Sequence, residues 1–468
     1  MTEPLTIAFQ GAARTVTGSR HLLRFGERRW LFDCGIYQGH RDEAEHINRT
    51  FAFDPAELDA VIVSHAHLDH IGNLPTLVAR GYAGNIHATV PTVELSEFML
   101  ADSAFLMSRD LEHLHRHARG RPPRPPLYSP ADVTETLTRF QTHDYHETWN
   151  VFDGVEVRYY DAGHILGAAL TTFEFRSGGR TLRLGMSGDL GRPGRPILRD
   201  PDVHPGVDVL VLESTYGDRR HAGTEESERA LVEIIERTVR RNGRVLIPAF
   251  AVGRTQEVAA TLHALCKHGD ACDLPMFVDS PMARQATAVF TRHPECFDSE
   301  TRHQFERGNG APLGFERLRY VASVDESRSL NDRTEPCIII AASGMCEGGR
   351  ILHHLRHGLG DPKNTVLFVG FQAEGTLGRR IRDGAEEVRI LGETVRVGAE
   401  ITALDGFSAH ADQEELATWV SRLDPAPRQI FLVHGELGPA QALAPVLEQR
   451  VGAKVTIPEK GQEFRLWN

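Results

Sequence analysis

The run Ser64-His65-Ala-His67-Leu-Asp69-His70 constrains this chain more than any other feature. Its histidines and aspartate crowd directly behind the apolar run Asp59-Ala-Val-Ile-Val63. A strand apolar on both faces belongs in a sheet covered on each side, so these polar residues leave the C-terminal end of a buried strand. Open α/β sheets keep their sites at that edge. Imidazole nitrogen and carboxylate oxygen are zinc ligands, and a catalytic zinc keeps one position for water. His65 and His67 alternate on an extended segment, point the same way and can share one metal. Asp69 and His70 fall where the chain turns into a helix and can serve a second metal a few ångströms away.

Two histidines leave a zinc incomplete, so other strand ends must contribute. Ala162-Gly-His164-Ile-Leu-Gly-Ala168 offers His164, and Ser187-Gly-Asp189-Leu-Gly191 offers Asp189, whose two oxygens can bridge a metal pair. Ile430-Phe-Leu-Val-His434-Gly-Glu436 offers His434. Any one of these alone is ordinarily a turn or capping residue. Each follows an apolar run, however, so one sheet edge collects them all, and the set reads as a two-metal hydrolase with two Zn2+ ions. The stretch His113-Leu-His115-Arg-His117 alternates in the same way. No strand precedes it and no carboxylate stands at the right spacing, so it reads as a solvated basic segment and not a metal site.

The chain has 468 residues, which makes two domains the natural division. Arg29–Phe32, Ala60–Val63, Val155–Tyr160, Thr181–Leu184 and Val207–Leu212 read as strands. The segment Arg121-Pro-Pro-Arg-Pro-Pro126 must be a loop, because proline is excluded from a helix interior. From about residue 240 a second rhythm begins. Arg244–Phe250 leads into Ala251-Val-Gly-Arg254, Cys337–Ala341 into Ser343-Gly344-Met345 and on to Arg350, and Thr365–Val369 into a glycine-rich loop ending at Arg379 and Arg380. Each unit is a strand, a glycine loop and a helix, the pattern of a separate α/β domain with a parallel sheet. After about residue 400 two more strands are expected, one ending at His434. The second domain is therefore an insertion: residues 1–208 and 403–468 form one domain and 209–402 the other.

The six cysteines contain no C-x-x-C pair, which suits a reducing compartment rather than a disulfide framework or a thiolate zinc site. The N-terminus lacks the pattern of a signal peptide, and no apolar stretch approaches the ~20 residues of a membrane helix. The expected location is the cytoplasm, with no membrane partner. A net charge of −12 argues against coating nucleic acid through bulk charge. A polyanionic substrate would require basic residues concentrated in one cleft.

At these residues the chain resembles the metallo-β-lactamase superfamily, whose members carry the H-x-H-x-D-H motif followed by three later ligands in this order. With its second α/β rhythm it is similar to the β-CASP branch, and to ribonucleases of the type found in the cleavage and polyadenylation specificity factor. The resemblance runs from Gly11-Ala-Ala-Arg-Thr-Val-Thr-Gly-Ser19 to the His434 motif. It implies an αββα sandwich with an inserted β-CASP domain. It also implies that His65, His67, His164 and Asp189 hold one zinc, and that Asp69, His70, His434 and Asp189 hold the other. Glu213 in Leu212-Glu-Ser-Thr-Tyr-Gly217 matches an acidic motif of the branch, and His410 in Gly406-Phe-Ser-Ala-His-Ala-Asp412 a histidine motif. Histidine at position 434 is typical of RNA-processing members, where DNA-processing ones typically carry valine. The chain is expected to lack the RNA-binding KH module that archaeal relatives often carry ahead of the catalytic region. The motif around His410 also departs from that of ribonuclease J, so internal cutting and 5′ trimming both stay open.

On this reading the expected reaction is hydrolysis of single-stranded RNA by a hydroxide activated between two metals. Asp69 orients the nucleophile, and His410, held charged by Glu213, protonates the leaving oxygen. Read alone, Glu213 serves equally as a helix-start residue. Backbone N–H groups at helix starts attract phosphate, and Arg254, Arg350, Arg379 and Arg380 lie close to such starts; the resemblance implies substrate at Arg254 and the Ser343-Gly344-Met345 loop, in a groove between the domains. The rivals are a small-molecule hydrolase of a thioester or lactam, a DNA nuclease, and a non-catalytic binding subunit. The sequence leaves a homodimer open and identifies no protein partner.

Overall fold

A computed structural model describes residues 3–39, 41–117, 125–267, 274–307 and 317–467. It divides into two compact units: Met1–Pro193, Asp200–Arg220 and His410–Asn468 form the first, Gly194–Arg199 and His221–Ala409 the second.

In the first unit, period-two alternation builds the core. Strand Leu5–Gly11 turns Leu5, Ile7 and Phe9 inward, and Arg28–Phe32 turns Trp30 and Phe32 inward. Val155, Val157 and Tyr159 of Val155–Asp161 and Phe173 and Phe175 of Ala169–Ser177 face them from a second sheet. Each sheet has seven strands. The strand Ala60–Ile62 lies parallel between Arg28–Phe32 and Asn85–Ala88 and is buried on both faces, as its sequence requires. Strands Arg180–Met186, Val209–Glu213 and Gln429–Val433 run parallel side by side in the other sheet. Helix Leu437–Val451 packs against Gln429–Val433 and Lys454–Thr456, and Val90–His117 against Phe140–Thr142, giving the layered α/β sandwich.

The second unit is a parallel sheet of six strands. Val245–Pro248, Ile338–Ala341 and Thr365–Phe368 carry the three expected strand–loop–helix units, continued by helices Arg254–Lys267, Ile351–Gly358 and Leu377–Arg382. Helices cover both faces. Ile338 and Ile340 pack with Val258 and Leu262, whereas Ile339 packs with Ile351 and Leu355.

The sequence reading undercounts the strands. Met276–Val278, Leu318–Tyr320 and Glu400–Ala403 complete the second unit's sheet, each too short for periodicity to register. From residue 400 onward the described chain forms four strands rather than two: Glu400–Ala403, Gln429–Val433, Lys454–Thr456 and Glu463–Trp467. The expected breaks at 208/209 and 402/403 also move. Val209–Glu213 is hydrogen-bonded between Arg180–Met186 and Gln429–Val433, so, apart from the excursion Gly194–Arg199, the chain stays in the first unit through Arg220. Glu400–Ala403 pairs with Thr365–Phe368, which keeps the chain in the second unit through Ala409.

The His113–His117 stretch ends the helix Val90–His117, and its side chains lie outside the described residues, as do most of the Arg121–Pro126 segment and Cys272. The five described cysteines form no disulfide. No helix among the described residues is long and apolar enough to cross a membrane.

Candidate metal centre

Strand ends of both sheets in the first unit converge on one point. His65 and His67 follow Ala60–Ile62, and the short helix Leu68–Ile71 carries Asp69 and His70. His164 occupies the tight loop between Val155–Asp161 and Ala169–Ser177, closed by Ala162 N–H on Ala168 O at 3.0 Å. Asp189 follows Arg180–Met186, Glu213 ends Val209–Glu213, and His434 follows Gln429–Val433. Close backbone approach demands glycine twice. A Cβ on Gly35 would stand 1.5 Å from Asp69 O, and one on Gly191 2.0 Å from Gly163 O, beside His164.

His65, His67, His164 and Asp189 each offer a ligand atom within 4.8 Å of the others, as do Asp69, His70 and His434. His65 Nε2 lies 3.1 Å from His67 Nδ1, which lies 3.3 Å from His164 Nε2. One oxygen of Asp189 faces this trio, 3.3 Å from His65 Nε2 and 3.4 Å from His164 Nε2. The other faces the second group, 3.3 Å from His70 Nε2 and 3.4 Å from His434 Nδ1. His70 Nε2 and His434 Nε2 are 3.1 Å apart, and Asp69 Oδ2 is 3.5 Å from His434 Nε2. Asp189 thus spans both groups.

Several observations fit a cation here. Ring nitrogens at 3.1–3.3 Å aim lone pairs at a common point, and the buried Asp189 Oδ1 accepts no hydrogen bond. Burial, with repulsion from His65, pushes His67 down to about 3, and burial holds His65 and His164 below the usual imidazole range. Neutral imidazole is the form that binds metal. Burial also opposes charge on His70, but Asp189 and Asp33 outweigh it and raise its pKa well above the ordinary value. Burial opposes charge on Asp189 too, but His434, His70, His65 and His410 outweigh it and hold its carboxyl well below its ordinary value. The pocket therefore favours positive charge between its carboxylates.

Asp33 escaped the sequence reading. Fully buried behind strand Arg28–Phe32, it accepts from His70 Nδ1 at 2.7 Å, Ser64 N–H at 2.8 Å, Ser64 Oγ at 3.0 Å and Ser19 Oγ at 3.1 Å. This fixes the tautomer of His70 and aims its Nε2 at Asp189 and His434. The signal was present: Asp33 follows the apolar end of Arg29–Phe32 as His65 follows Ala60–Val63.

Glu213 is fully buried and ends a strand, so the helix-start alternative does not apply; the next α-helix opens only at Thr224. Its carboxylate accepts from Leu190 N–H at 2.6 Å, and both oxygens lie 3.1 Å from His410 Nδ1. His410 stands 3.9 Å from Asp189 Oδ2, so Glu213 is its nearer partner. Burial disfavours charge on His410, but Glu213 and then Asp189 overcome that and raise its pKa.

The expected substrate contacts all lie in the second unit, at the C-terminal ends of its parallel strands. Arg254 opens a helix, but its guanidinium is buried and paired with Glu257. Ser343 Oγ accepts from the N–H groups of Glu347 at 3.1 Å and Gly348 at 3.2 Å. Gly344 lies against the Phe250 ring, and the Met345 carbonyl accepts from Gly378 N–H at 3.1 Å. Gln372, which the sequence reading passed over, ties the loops together by donating to Gly344 O at 2.9 Å. Arg379 pairs with Asp383 at 2.8 Å and Arg350 with Asp279, while Arg380 is exposed.

Comparison with known proteins gives a consistent answer. Residues 19–226 match the metallo-beta-lactamase superfamily, 255–381 the Beta-Casp domain, and 394–458 the Zn-dependent metallo-hydrolase RNA specificity domain. The chain is 41% identical to Ribonuclease TTHA0252 of Thermus thermophilus, over 97% of its own length and 98% of the relative's. It is 34% identical to the transcription termination factor FttA of Methanocaldococcus jannaschii, covering 92% of itself and 67% of that protein. For the FttA of Pyrococcus abyssi the figures are 35%, 87% and 62%. A crystal structure of a protein of unknown function from Enterococcus faecalis shares the fold, with a TM-score of 0.53 at 14% identity, over 99% of this chain and 100% of that one. The chain belongs to the metallo-β-lactamase superfamily, in its β-CASP branch of metal-dependent hydrolases.

Proposed function

We propose that this chain is a zinc-dependent ribonuclease that hydrolyses phosphodiester bonds of single-stranded RNA. The observation that carries the reading is Asp189 spanning two ligand groups, with the Glu213–His410 pair at its side. Similarity along nearly the whole chain to a ribonuclease, and the match to an RNA specificity domain, support RNA as substrate. His65, His67, His164 and Asp189 would hold one zinc, and Asp69, His70, His434 and Asp189 the other; histidine and carboxylate donors suit that ion. A bound zinc pair supplies charge to grip the scissile phosphate and acidifies water into a nucleophile near neutral pH.

The chain's own residues do the rest. Asp69, the less buried carboxylate, accepts a hydrogen bond from the attacking water and aims it at phosphorus. As the new P–O bond forms, the bond to the ribose oxygen breaks, and His410 delivers its proton to that oxygen. Glu213 holds the ring in place and balances its charge. His410→Ala and Glu213→Gln should then lower turnover about 100- to 10,000-fold while metal content stays at the parental level. Loss of metal from either variant would move that residue into the ligand set.

The deciding experiment is cleavage of end-labelled single-stranded RNA and the matching DNA by the zinc-loaded protein, with Asp189→Ala beside it. RNA-specific cutting that vanishes in the variant is the expected result. Fragment ladders from each labelled end then separate internal cuts from 5′ trimming. Cleavage of DNA alone, or of neither polymer with zinc bound, overturns the reading in favour of a DNA nuclease or a small-molecule hydrolase.

A further inference from the structure

The Glu213–His410 contact joins two segments far apart in sequence, and something must hold them in register. Two backbone links do part of this. Leu190 N–H donates to Glu213 Oε1 at 2.6 Å, and Ala411 N–H donates to Leu190 O at 2.9 Å. The residue next to Asp189 therefore touches both the carboxylate and the segment bearing the histidine. A third link lies just beyond. Arg192 Nε meets both oxygens of Glu415 at 3.0 Å, with the arginine side chain only 7% exposed and the glutamate 20%. Glu415 stands in the first turn of helix Gln413–Ser421 and closes a capping box with Asp412: its N–H donates to Asp412 Oδ1 and its carboxylate accepts from Asp412 N–H, each at 2.9 Å. The loop that carries Asp189 is thus pinned to the helix whose N-cap, Asp412, follows His410 by two residues.

We propose that the Arg192–Glu415 pair is the positioning device of this reaction, fixing His410 against Glu213 and beside the scissile bond. The inference rests on the general-acid role given to His410 above. A charge-assisted contact removed from water holds geometry tightly, and displacement of a catalytic group by about 1 Å can reduce turnover on the order of 100-fold. Neither side chain belongs to a candidate metal-ligand group, whereas His410 stands with Asp189 and His434 in one, so metal content is measured beside turnover to separate proton delivery from metal retention.

The test uses two phosphodiesters. RNA leaves as a ribose alkoxide and needs the proton; a p-nitrophenyl phosphodiester leaves as a stable phenolate and does not. Glu415→Gln and Arg192→Lys in the zinc-loaded protein should lower kcat on RNA about 10- to 100-fold, with KM and metal content nearly unchanged. Hydrolysis of bis(p-nitrophenyl) phosphate should stay within about threefold of the parent, because it draws little on general-acid catalysis. The exchanged pair Arg192→Glu with Glu415→Arg should recover part of the RNA activity, which separates lost pairing from damaged folding. Parental RNA turnover in the single variants overturns the proposal, as does parallel loss of both substrates together with metal. His410→Ala in the same assay separates the two ideas. If it shows the substrate split and the pair variants do not, only the positioning role fails. If it loses both substrates equally, the general-acid reading fails and takes the proposal with it.

Discussion

Asp33 acts on the metal centre through His70, and its removal isolates what an orienting carboxylate contributes. Its oxygens accept from Ser19, Ser64 and His70, so Asp33→Ala would take this acceptor from all three, leave His70 Nδ1 only the Ser64 hydroxyl at 3.2 Å, and free the ring to turn. The expected loss is about 10- to 100-fold in metal affinity, read by competition with a chromophoric chelator. Affinity equal to the parent's would show that packing alone orients His70. The neighbouring rings have the opposite electrostatic history. Burial first, then other histidines, keeps His65, His67 and His164 neutral, so these rings meet a metal without first shedding a proton.

At the scale of elements, strand Asn85–Ala88 shows how packing converts a titratable group into a pH-dependent stability. His87 Nδ1 lies 2.9 Å from His143 Nε2, and its ring stacks on Trp149 with centroids 4.5 Å apart. Burial, with repulsion from His143, pushes His87 from 6.5 down to about 4. The folded state therefore keeps it neutral while the unfolded chain takes up a proton below pH 6.5. Stability is complete above that value and falls as pH drops from it towards 4. The contribution lost at pH 5 is about 2 kcal/mol. Urea unfolding at pH 7.5 and pH 5 should show His87→Gln losing less stability on acidification than the parent, by about that amount. An identical loss in both would remove His87 from the account. A second element makes a plainer case. Ile339 is fully buried between helices of the second unit, and Ile339→Ala should lower that unit's stability by about 2–5 kcal/mol in the same measurement.

For the molecule as a whole, metal and charge set the expectations. With a net charge of −12, an RNA substrate is expected to be held by local basic residues releasing counterions. RNA binding by the metal-loaded His410→Ala protein, whose metal content is expected at the parental level, should weaken at least about tenfold between 50 and 200 mM salt. A flat response would point to recognition through stacking and hydrogen bonds. Chelation leaves the buried Asp189 with only the surrounding histidines as counter-charge, so apoprotein should melt at least about 5 °C below holoprotein, and zinc should restore the difference.

The sequence by itself determined the strand ends on which chemistry sits. H-x-H-x-D-H behind a buried run is a local pattern, and apolar runs ending in His164, Asp189 and His434 repeat it, so the candidate ligands were legible without coordinates. The glycine loops between strand and helix were legible for the same reason, since backbone sterics act between near neighbours. Tertiary structure decided what depends on distant segments meeting. Asp33 gains meaning only because its strand ends beside Leu68–Ile71, and Glu213 and His410, which the family motifs named, meet because Leu190 links their segments. Arg254 reads as a phosphate ligand until Glu257, one helical turn away, is found holding its buried guanidinium. The domain limits followed the same logic: hydrogen bonding to partner strands, invisible along the chain, kept Val209–Glu213 in the first sheet and Glu400–Ala403 in the other.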